Sequence, residues 1–385
     1  TGVDALRFSY ADPEGVGTGT DRLLLQEIDV IGAPTDYAPA LQLSSMFSDD
    51  MILQREKAVP VWGTSDAGAS ITVEFDEQTK TTTAAGDGTW TVDLDSMSAD
   101  AVGQDLTVTA ELFSVSTAIT YGNVLIGEVW LCSGQSNMAF SINQTNQKTA
   151  VRAAPNNSTL RFFKVPQVTQ GTPLERLDTV WTESTKGSTG TATSFGAVAY
   201  HFGLMLQDEL ESSADLKDVP VGLIHSAKGG TDIEMWLPGT HSYSGPLTVD
   251  NTFTQCYNGM IDALIPFAIR GVVWYQGENN VADGRNGKPL TYLAKKKALI
   301  DDWRALWGYD FPFYYAQLAP FEYTTWASKT SDDGVLPYFW EAQSQVMQQV
   351  SDTYMAVASD HVVDTDGNLN LNEIHPRDKE PIGQR

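Results

Sequence analysis

The alternation of short apolar runs with amphipathic segments beyond residue 123 constrains the fold more than any other feature. Apolar runs of strand length occur at Val124–Leu131, Leu160–Val165, Val219–His225, Arg270–Tyr275, Phe311–Gln317 and Tyr354–Ala358. Between them, residues 195–206 and 293–306 carry apolar side chains at the helical spacing i, i+3, i+4, i+7. This alternation predicts a three-layer α/β/α domain with a mainly parallel sheet over residues 123–385. Ligands of such sheets bind beyond the carboxyl ends of the strands, so we expect the catalytic or binding residues to lie there.

The chain before residue 123 has a different period. Short alternating runs are separated by turn residues at Val59–Gly63, Ser70–Phe75, Thr89–Leu94 and Leu106–Ala110. Such spacing without a helical period predicts a small β-sandwich domain over residues 40–122. Residues 1–39 carry two further strand patterns around a Gly-rich turn, and the stretch 22–32 resembles the last strand of a discoidin-type jelly roll. Since two strands rarely stand alone, we expect this piece to belong to such a jelly roll or to pack on the other domains.

Charge and cysteine content exclude several classes of partner and scaffold. The chain has 24 Lys+Arg against 49 Asp+Glu, a formal net charge of −25. Nucleic acid and anionic lipid would be repelled, and no apolar run is long enough to span a bilayer, so neither nucleic-acid binding nor membrane insertion is expected. Cys132 and Cys256 are too few for a disulfide scaffold or a four-cysteine zinc site, although one disulfide between them is possible.

A serine follows the first buried strand of the predicted α/β domain. Gly134 precedes Ser136 and permits a sharp turn, which would place the hydroxyl at the edge of the sheet beside backbone N–H groups. Met138 stands where the second glycine of a G-x-S-x-G elbow would be. The pattern alone therefore fits a nucleophile or a helix-capping serine.

A serine nucleophile needs a base, and His375 is the best candidate among the histidines. It lies in a loop after the last strand, where Pro376 restricts the backbone just beyond it. Ser136 and His375 would both lie beyond the ends of sheet strands. The remaining histidines are interpreted as packed or solvated side chains: His201, His225, His241 and His361.

Two glycine-containing loops follow neighbouring strands and could supply hydrogen-bond donors to an oxyanion. Residues 226–231 follow the third strand, and residues 274–280 follow the fourth. Backbone N–H groups without a Cβ in the way, together with an amide side chain, stabilise the charge that develops in acyl transfer. Each loop alone could be a simple turn, but their placement beside Ser136 and His375 favours a catalytic site.

Four sequence blocks together resemble the sialate O-acetylesterases, which are SGNH-type serine esterases related to the acetylxylan esterases of carbohydrate esterase family six. These blocks are Gly134–Met138, Gly229–Thr231 with Trp236, Trp274–Glu278 and Ile374–Lys379. The segment Phe47–Arg55 and the following sandwich also resemble this family, so the likeness runs in order over residues 41–385. It implies an SGNH-hydrolase-like fold, an O-acetylated carbohydrate as substrate, and no metal or organic cofactor. It also implies an exported enzyme, secreted or periplasmic, whose signal peptide has been removed.

The resemblance implies specific roles at the site. Ser136 would be the nucleophile and would also donate its backbone N–H to the oxyanion. Gly230, or its neighbour Gly229, would be the second donor and the Gln276 amide the third. His375 would be the base.

Three other residues in these blocks are given roles on the same basis. Trp236 would form a wall of the substrate pocket. Asn279 would contact substrate or replace Gln276 as the amide donor. Glu278 is interpreted as an acceptor that fixes its loop, because an ionised carboxylate beside the nucleophile would oppose the developing oxyanion.

The acid of the triad departs from the family pattern. SGNH enzymes place an Asp three residues before the His, where this chain has Asn372, and many relatives place it two before, where this chain has Glu373. Glu373 is the first candidate to orient His375. Asp360, Asp364 or a Ser-His dyad assisted by a backbone carbonyl are the alternatives.

The predicted function is hydrolysis of acetyl esters on sugar hydroxyls through an acetyl-Ser136 intermediate. One alternative is a carbohydrate-binding protein whose esterase site has decayed, since Asn372 replaces an Asp. A second alternative is transfer of the acetyl group to another sugar, which would use the same serine.

Overall fold

A computed structural model describes most of the chain beyond residue 37. The described residues are 38–213, 216–245, 253–282, 289–323, 335–360 and 373–385. The predicted strands in residues 1–37 and the positions of His361, Asp364 and Asn372 lie outside these ranges. Residues 38–385 form one compact unit.

Strands and helices follow one another through this unit in a mixed α/β fold. The strands are β1 (Leu41–Leu43), β2 (Ile52–Gln54), β3 (Val59–Ser65), β4 (Ser70–Phe75), β5 (Gln78–Thr83), β6 (Thr89–Leu94), β7 (Asp100–Leu112), β8 (Val115–Gly134), β9 (Asn157–Lys164), β10 (Trp181–Ser184), β11 (Val221–Ala227), β12 (Gly271–Tyr275), β13 (Phe313–Ala316) and β14 (Thr353–Ala356). The helices are α1 (Ser136–Ala139), α2 (Lys148–Ala153), α3 (Thr191–Ser194), α4 (Ala197–Glu211), α5 (Gln255–Met260), α6 (Glu278–Ala282), α7 (Pro289–Trp307), α8 (Val335–Gln349) and α9 (Glu380–Gln384), with 3₁₀ turns at Ile142–Gln144, Ile233–Trp236 and Asp262–Leu264. Within the described ranges, none of the helices combines the length and apolar character needed to cross a membrane.

Strand β8 runs through both halves of the described unit. From Val115 to Asn123 its residues are exposed or half-buried, whereas every residue from Val124 to Gly134 is buried. The first part pairs antiparallel with β7, and the second part pairs parallel with β11 and β12. A strand covered on both faces loses the alternation that a half-exposed strand keeps. The predicted boundary between residues 122 and 123 coincides with this change but falls within one continuous strand, so the division into two domains stays a prediction.

The sheet brings three strand ends to the same edge. Its strand order is β10-β9-β11-β8-β12-β13-β14, and each neighbouring pair from β9 to β14 is parallel, while β10 is antiparallel to β9. Strands β2, β4, β5 and β7 extend the same sheet, and β1, β3 and β6 form a separate antiparallel sheet. Ala227 at the end of β11 and Tyr275 at the end of β12 both lie opposite Gly134. The loops that follow these strands therefore leave the sheet side by side.

A buried carboxylate within the second part of β8 connects the two halves. Glu128 is 3% exposed, and its Oε1 accepts a hydrogen bond from Arg55 Nε at 2.6 Å. Its Oε2 accepts from Arg270 Nε at 2.7 Å, just before β12. Such charge-assisted bonds are strong, and removing Glu128 would leave the buried Arg55 guanidinium with the Glu56 carboxylate, 2.7 Å from its Nη1, in place of two carboxylates.

Both cysteines are buried and free, so the possible disulfide between Cys132 and Cys256 does not form. Burial raises the pKa of the Cys256 thiol to about 12, and it raises that of Cys132 as well. Both side chains are therefore uncharged near neutral pH, when they pack as small apolar groups.

Helix α7 carries a buried lysine that packs against an aromatic ring. Lys296 is fully buried, and its Nζ lies 3.0 Å from the centroid of the Tyr315 ring. In the described part of the chain this Nζ has no hydrogen-bond partner. Burial lowers the pKa of Lys296 well below its ordinary value, because the charged form loses its hydration.

We predict that Lys296→Met stabilises the protein. Below the ordinary lysine pKa the unfolded chain binds a proton that the folded chain resists, so the folded state is disfavoured at neutral pH. Replacement by an apolar chain of similar length removes this cost and should raise the free energy of unfolding by about 1–3 kcal/mol in urea denaturation at pH 7. Lys297→Met is the control, since Lys297 is exposed and its Nζ lies 2.7 Å from Asp301 Oδ2. An unchanged or lower stability for Lys296→Met would contradict the prediction.

Candidate active site

A sharp turn after β8 places Ser136 at the edge of the sheet. Gly134 has a φ of 139°, and a Cβ at this position would lie 2.1 Å from Tyr275 O, so the turn requires glycine. On one side, Gln135 N donates to Tyr275 O at 2.9 Å; on the other, Lys228 N donates to Gly134 O at 3.0 Å. The half-buried Ser136 begins α1 between the ends of β11 and β12.

The residue before Ser136 fixes the loop that follows β12. Gln135 is buried, and its Oε1 accepts hydrogen bonds from Gly277 N at 3.1 Å and Asn279 N at 3.3 Å. Gln135 carried no predicted role. Its position beside Ser136 in the same sequence block was the one available signal.

The residue after Ser136 holds the loop that contains His375. Asn137 Nδ2 donates to Ile374 O at 3.0 Å. The ring of Phe140, just past α1, stacks on the His375 ring with centroids 5.8 Å apart and planes at 21°. The helix that begins at Ser136 is thus in contact with the loop of His375. In the described structure, however, no hydrogen bond joins the Ser136 hydroxyl to the His375 imidazole.

The environment of His375 favours the neutral imidazole. Burial lowers the pKa of His375 below its ordinary value, the nearby Lys379 ammonium lowers it further, and Glu373 acts in the opposite direction. A neutral imidazole can accept the proton of a serine hydroxyl, so this shift suits a general base.

In the described structure the candidate acids Glu373 and Asp360 bind arginines, and Asp364 lies outside the described residues. Glu373 Oε1 accepts from Arg377 Nε at 3.4 Å, and among the described residues no hydrogen bond joins Glu373 to His375. Asp360 is bound instead by the Arg385 guanidinium at 2.8 and 2.9 Å. Neither carboxylate is seen to orient the imidazole.

The two glycines after β11 differ in their relation to Ser136. A Cβ on Gly229 would lie 3.4 Å from Ser136 Cβ, so this backbone passes directly against the nucleophile candidate. Gly230 has a φ of 72°, and a Cβ there would meet nothing within 4 Å. A side chain would therefore meet Ser136 only from position 229, and the assignment of the second oxyanion donor to Gly230 or Gly229 stays a prediction.

The structure corrects the prediction that Gln276 donates to an oxyanion. Gln276 is fully buried, and its Nε2 donates to Thr231 O at 3.0 Å and to Asn280 Oδ1 at 2.6 Å. Tyr292 OH donates to Gln276 O at 2.8 Å and lies 3.1 Å from Gln276 Oε1. Because an amide nitrogen carries only two hydrogens, none is left for a substrate. Gln276 therefore connects the loop after β11 to the loop after β12 within the protein interior.

The predicted role of Trp236 as a pocket wall is also wrong. Trp236 is fully buried, its Nε1 donates to Thr231 Oγ1 at 3.0 Å, and its ring meets that of Trp274 edge-on at 5.9 Å. Asn279 is half-buried, and its Nδ2 donates to Asp232 Oδ1 at 2.7 Å. Its backbone bond to Gln135 places Asn279 beside the Ser136 turn, so contact with substrate stays a prediction.

A buried polar group lies behind Ser136, and we call Asn137, Glu278 and Lys379 the Asn137 cluster. Asn137 Nδ2 donates to Glu278 Oε1, and Lys379 Nζ donates to Asn137 Oδ1. Burial raises the pKa of Glu278, and the bond from Asn137 lowers it in part. Burial lowers the pKa of Lys379 to about 7. Backbone N–H groups of Gly277 and Glu278 also lower this pKa, in line with the interpretation of Glu278 as an acceptor that fixes its own loop.

The other described histidines are packed away from Ser136 Oγ. Burial lowers the pKa values of His201 and His225 to about 4 each, and His225 Nε2 lies 3.0 Å from Met138 O. His241 meets the Phe253 ring edge-on at 5.1 Å. Within the described ranges, no three His, Cys, Asp or Glu side chains are grouped so that they could share a metal ion.

Residues 126–375 match the family of carbohydrate esterases described as sialic acid-specific acetylesterases. The chain is 31% identical over 396 residues to the sialate O-acetylesterase of Homo sapiens, covering 92% of this chain and 71% of that protein. It is 28% identical over 408 residues to that of Mus musculus, covering 89% and 72% respectively. Among solved structures, a carbohydrate acetylesterase from Xanthomonas citri superposes with a TM-score of 0.73 at 32% identity, covering 89% of this chain and 72% of that one.

We predict that Gly229→Ala lowers kcat/KM for an acetyl ester more than Gly230→Ala does. The methyl group at position 229 would lie in van der Waals contact with the Ser136 side chain, 3.4 Å from its Cβ, and even a small displacement of a reacting group can cost about 10²-fold in rate. At position 230 the methyl group meets open space, and the strained φ should instead cost about 1–2 kcal/mol of stability. Steady-state kinetics and thermal unfolding of both variants provide the check. The reverse order of kcat/KM would contradict it.

Proposed function

Since the chain belongs to the sialic acid-specific acetylesterase family of carbohydrate esterases, and is therefore a carboxylic ester hydrolase, we propose that it removes O-acetyl groups from carbohydrate through an acetyl-Ser136 intermediate. The observation that carries this proposal is the contact between two loops distant in sequence. The turn that presents Ser136 is tied to the loop of His375 by the hydrogen bond from Asn137 to Ile374 O, at the edge where the parallel strands end.

In the proposed reaction, Ser136 Oγ attacks the acetyl carbonyl while His375 takes the hydroxyl proton. The oxyanion that forms is stabilised by backbone N–H groups of the Ser136 turn and of the adjoining Gly229 loop. The bond between the acetyl carbon and the sugar oxygen then breaks, and His375 returns the proton to that oxygen. Water repeats the sequence on the acetyl-enzyme and releases acetate. The lowered pKa of His375 supports its role as base.

The substrate class is proposed from the relatives and from the site. Relatives named for sialate and for carbohydrate support an O-acetylated sugar, either a sialic acid or a plant or microbial glycan. Asn279 and Asp232 lie beside the Ser136 turn, and in this proposal their side chains contact sugar hydroxyls. Secretion or export to the periplasm stays a prediction.

We predict that Ser136→Ala lowers kcat for p-nitrophenyl acetate by at least about 10³-fold, because the nucleophile is lost while the backbone donors remain. Diethyl p-nitrophenyl phosphate should label wild type at Ser136, which mass spectrometry of the digested protein would locate. Ser194→Ala is the control, since Ser194 is exposed and its hydroxyl donates only to Thr191 O within its own short helix. Acetate release from a panel of acetylated glycans then identifies the sugar.

The same experiment separates the alternatives. Equal turnover by wild type and Ser136→Ala would favour a carbohydrate-binding protein over an esterase. Transfer of acetate to an added acceptor glycan, seen in the products, would show an acetyltransferase that uses the same serine.

We predict that Glu373→Gln changes kcat only modestly. In trypsin-type triads the corresponding amide substitution costs about 10⁴-fold, whereas here Glu373 contacts Arg377 and forms no hydrogen bond with His375 in the described structure. Because Glu373 raises the pKa of His375, its neutralisation should lower that pKa and move the acid limb of kcat/KM to lower pH. A pH-rate profile of both proteins measures the effect. A drop of about 10³-fold or more would identify Glu373 as the acid after all.

A further inference from the structure

The Asn137 cluster is a buried polar group near Ser136, and the mechanism above gives no role to Glu278 or Lys379. Asn137 is 0% exposed, while Glu278 and Lys379 are each 1% exposed. Burying a carboxylate and an ammonium costs free energy unless each is compensated by an opposite charge and by hydrogen bonds. The presence of these two charged groups near Ser136 therefore suggests that they hold part of the site in position.

The hydrogen bonds of Asn137 leave its amide a single orientation. Both hydrogens of Nδ2 are used, one by Glu278 Oε1 and the other by Ile374 O at 3.0 Å. Its Oδ1 accepts from Lys379 Nζ. A flipped amide would turn its oxygen toward a carboxylate and a carbonyl, and its N–H groups toward an ammonium.

This one amide holds the His375 loop on both sides of the imidazole. Ile374 directly precedes His375, and Lys379 lies at the end of the same loop, where α9 begins. The Phe140 ring touches both: its centroid is 5.8 Å from that of His375 and 5.2 Å from Lys379 Nζ. Since no described residue forms a hydrogen bond with the imidazole of His375, the backbone anchors and this stacking contact fix the ring.

The charges of the cluster also depend on one another. The Glu278 carboxylate stabilises the buried Lys379 ammonium, and the ammonium in turn stabilises the carboxylate, with the Asn137 amide between them. Removal of the Glu278 charge would leave only the smaller effects of Glu373 and Asp378 to favour the charged Lys379, and removal of either charge would disturb the amide that joins the two groups.

We infer that Asn137, Glu278 and Lys379 are positioning residues for His375, and that they act through the single orientation of the Asn137 amide. This inference rests on the proposed function, in which Ser136 and His375 form the reacting pair. The cluster aligns the base with the nucleophile, so its loss should affect the chemical step more than the binding of substrate.

The test is Asn137→Ala, assayed with p-nitrophenyl acetate and with diethyl p-nitrophenyl phosphate. We expect kcat and the rate of Ser136 phosphorylation to fall by about 10²-fold while KM stays within about threefold of wild type. The matched control is Asn258→Ala. Asn258 is also buried, at 5% exposure, and its Nδ2 donates to the backbone oxygen of Gln170 in a different loop. Thermal unfolding of the two variants compares the structural cost of deleting a buried amide.

A second variant covers the possibility that Asn137→Ala does not fold. The double substitution Lys379→Met with Glu278→Gln leaves no buried charge unpaired but removes the donor to Asn137 Oδ1. We expect a fall in kcat of at least about tenfold at little change in KM, because a displaced base loses alignment without altering the sugar contacts. Wild-type kcat and labelling rate in folded Asn137→Ala, or in the folded double variant if Asn137→Ala does not fold, would overturn the inference.

Ser136→Ala and His375→Ala, assayed in parallel, separate the two proposals. If both lose activity while Asn137→Ala retains it, the positioning role is wrong and the proposed function stands. If either retains wild-type activity, the proposed function fails and the positioning role fails with it.

Discussion

The whole site depends on the close approach of two backbones at Gly134. A side chain at this position would collide with the carbonyl of Tyr275, so β8 and β12 can end side by side only with glycine there. The flanking hydrogen bonds from Gln135 and Lys228 then commit the chain to a turn that leaves Ser136 at the rim. Parallel strands with a shared carboxyl edge provide such a rim, and the packed sheet below keeps it rigid.

Gln135 and Asn137, the two neighbours of Ser136, each hold a different loop of the site. Gln135 binds the loop after β12 through Gly277 N and Asn279 N, and Asn137 binds the loop of His375 through Ile374 O. Both amides are buried, and that of Asn137 uses both of its hydrogens and its oxygen. In the described residues the amides of Gln135 and Asn137 bind the two loops directly, whereas Glu373 binds Arg377.

The sequence predicted the strands and helices around the site well, because their periods follow directly from burial on one face or two. It also located Ser136, since a small residue and a turn directly after a buried strand leave few arrangements. The predictions for Gln276 and Trp236 failed, because the sequence does not show whether an amide or an indole side chain points toward substrate or into the interior. Contacts with Thr231 and with Tyr292 of α7 decide that direction. The four sequence blocks of the family resemblance include Gln135, Asn137 and Lys379. The sequence alone, however, does not show which hydrogen bonds these side chains form.

The continuity of β8 has a consequence for how such proteins can be recombined. Val115–Gly134 serves a half-exposed sheet at one end and a fully covered sheet at the other, without a connecting linker. A chimera that exchanged the amino-terminal half at residue 122 would therefore have to reproduce the hydrogen-bond register of β7 and the guanidinium of Arg55 on Glu128. The two halves therefore cannot be exchanged independently of each other. Variation of the site has to occur in the loops at this edge of the sheet.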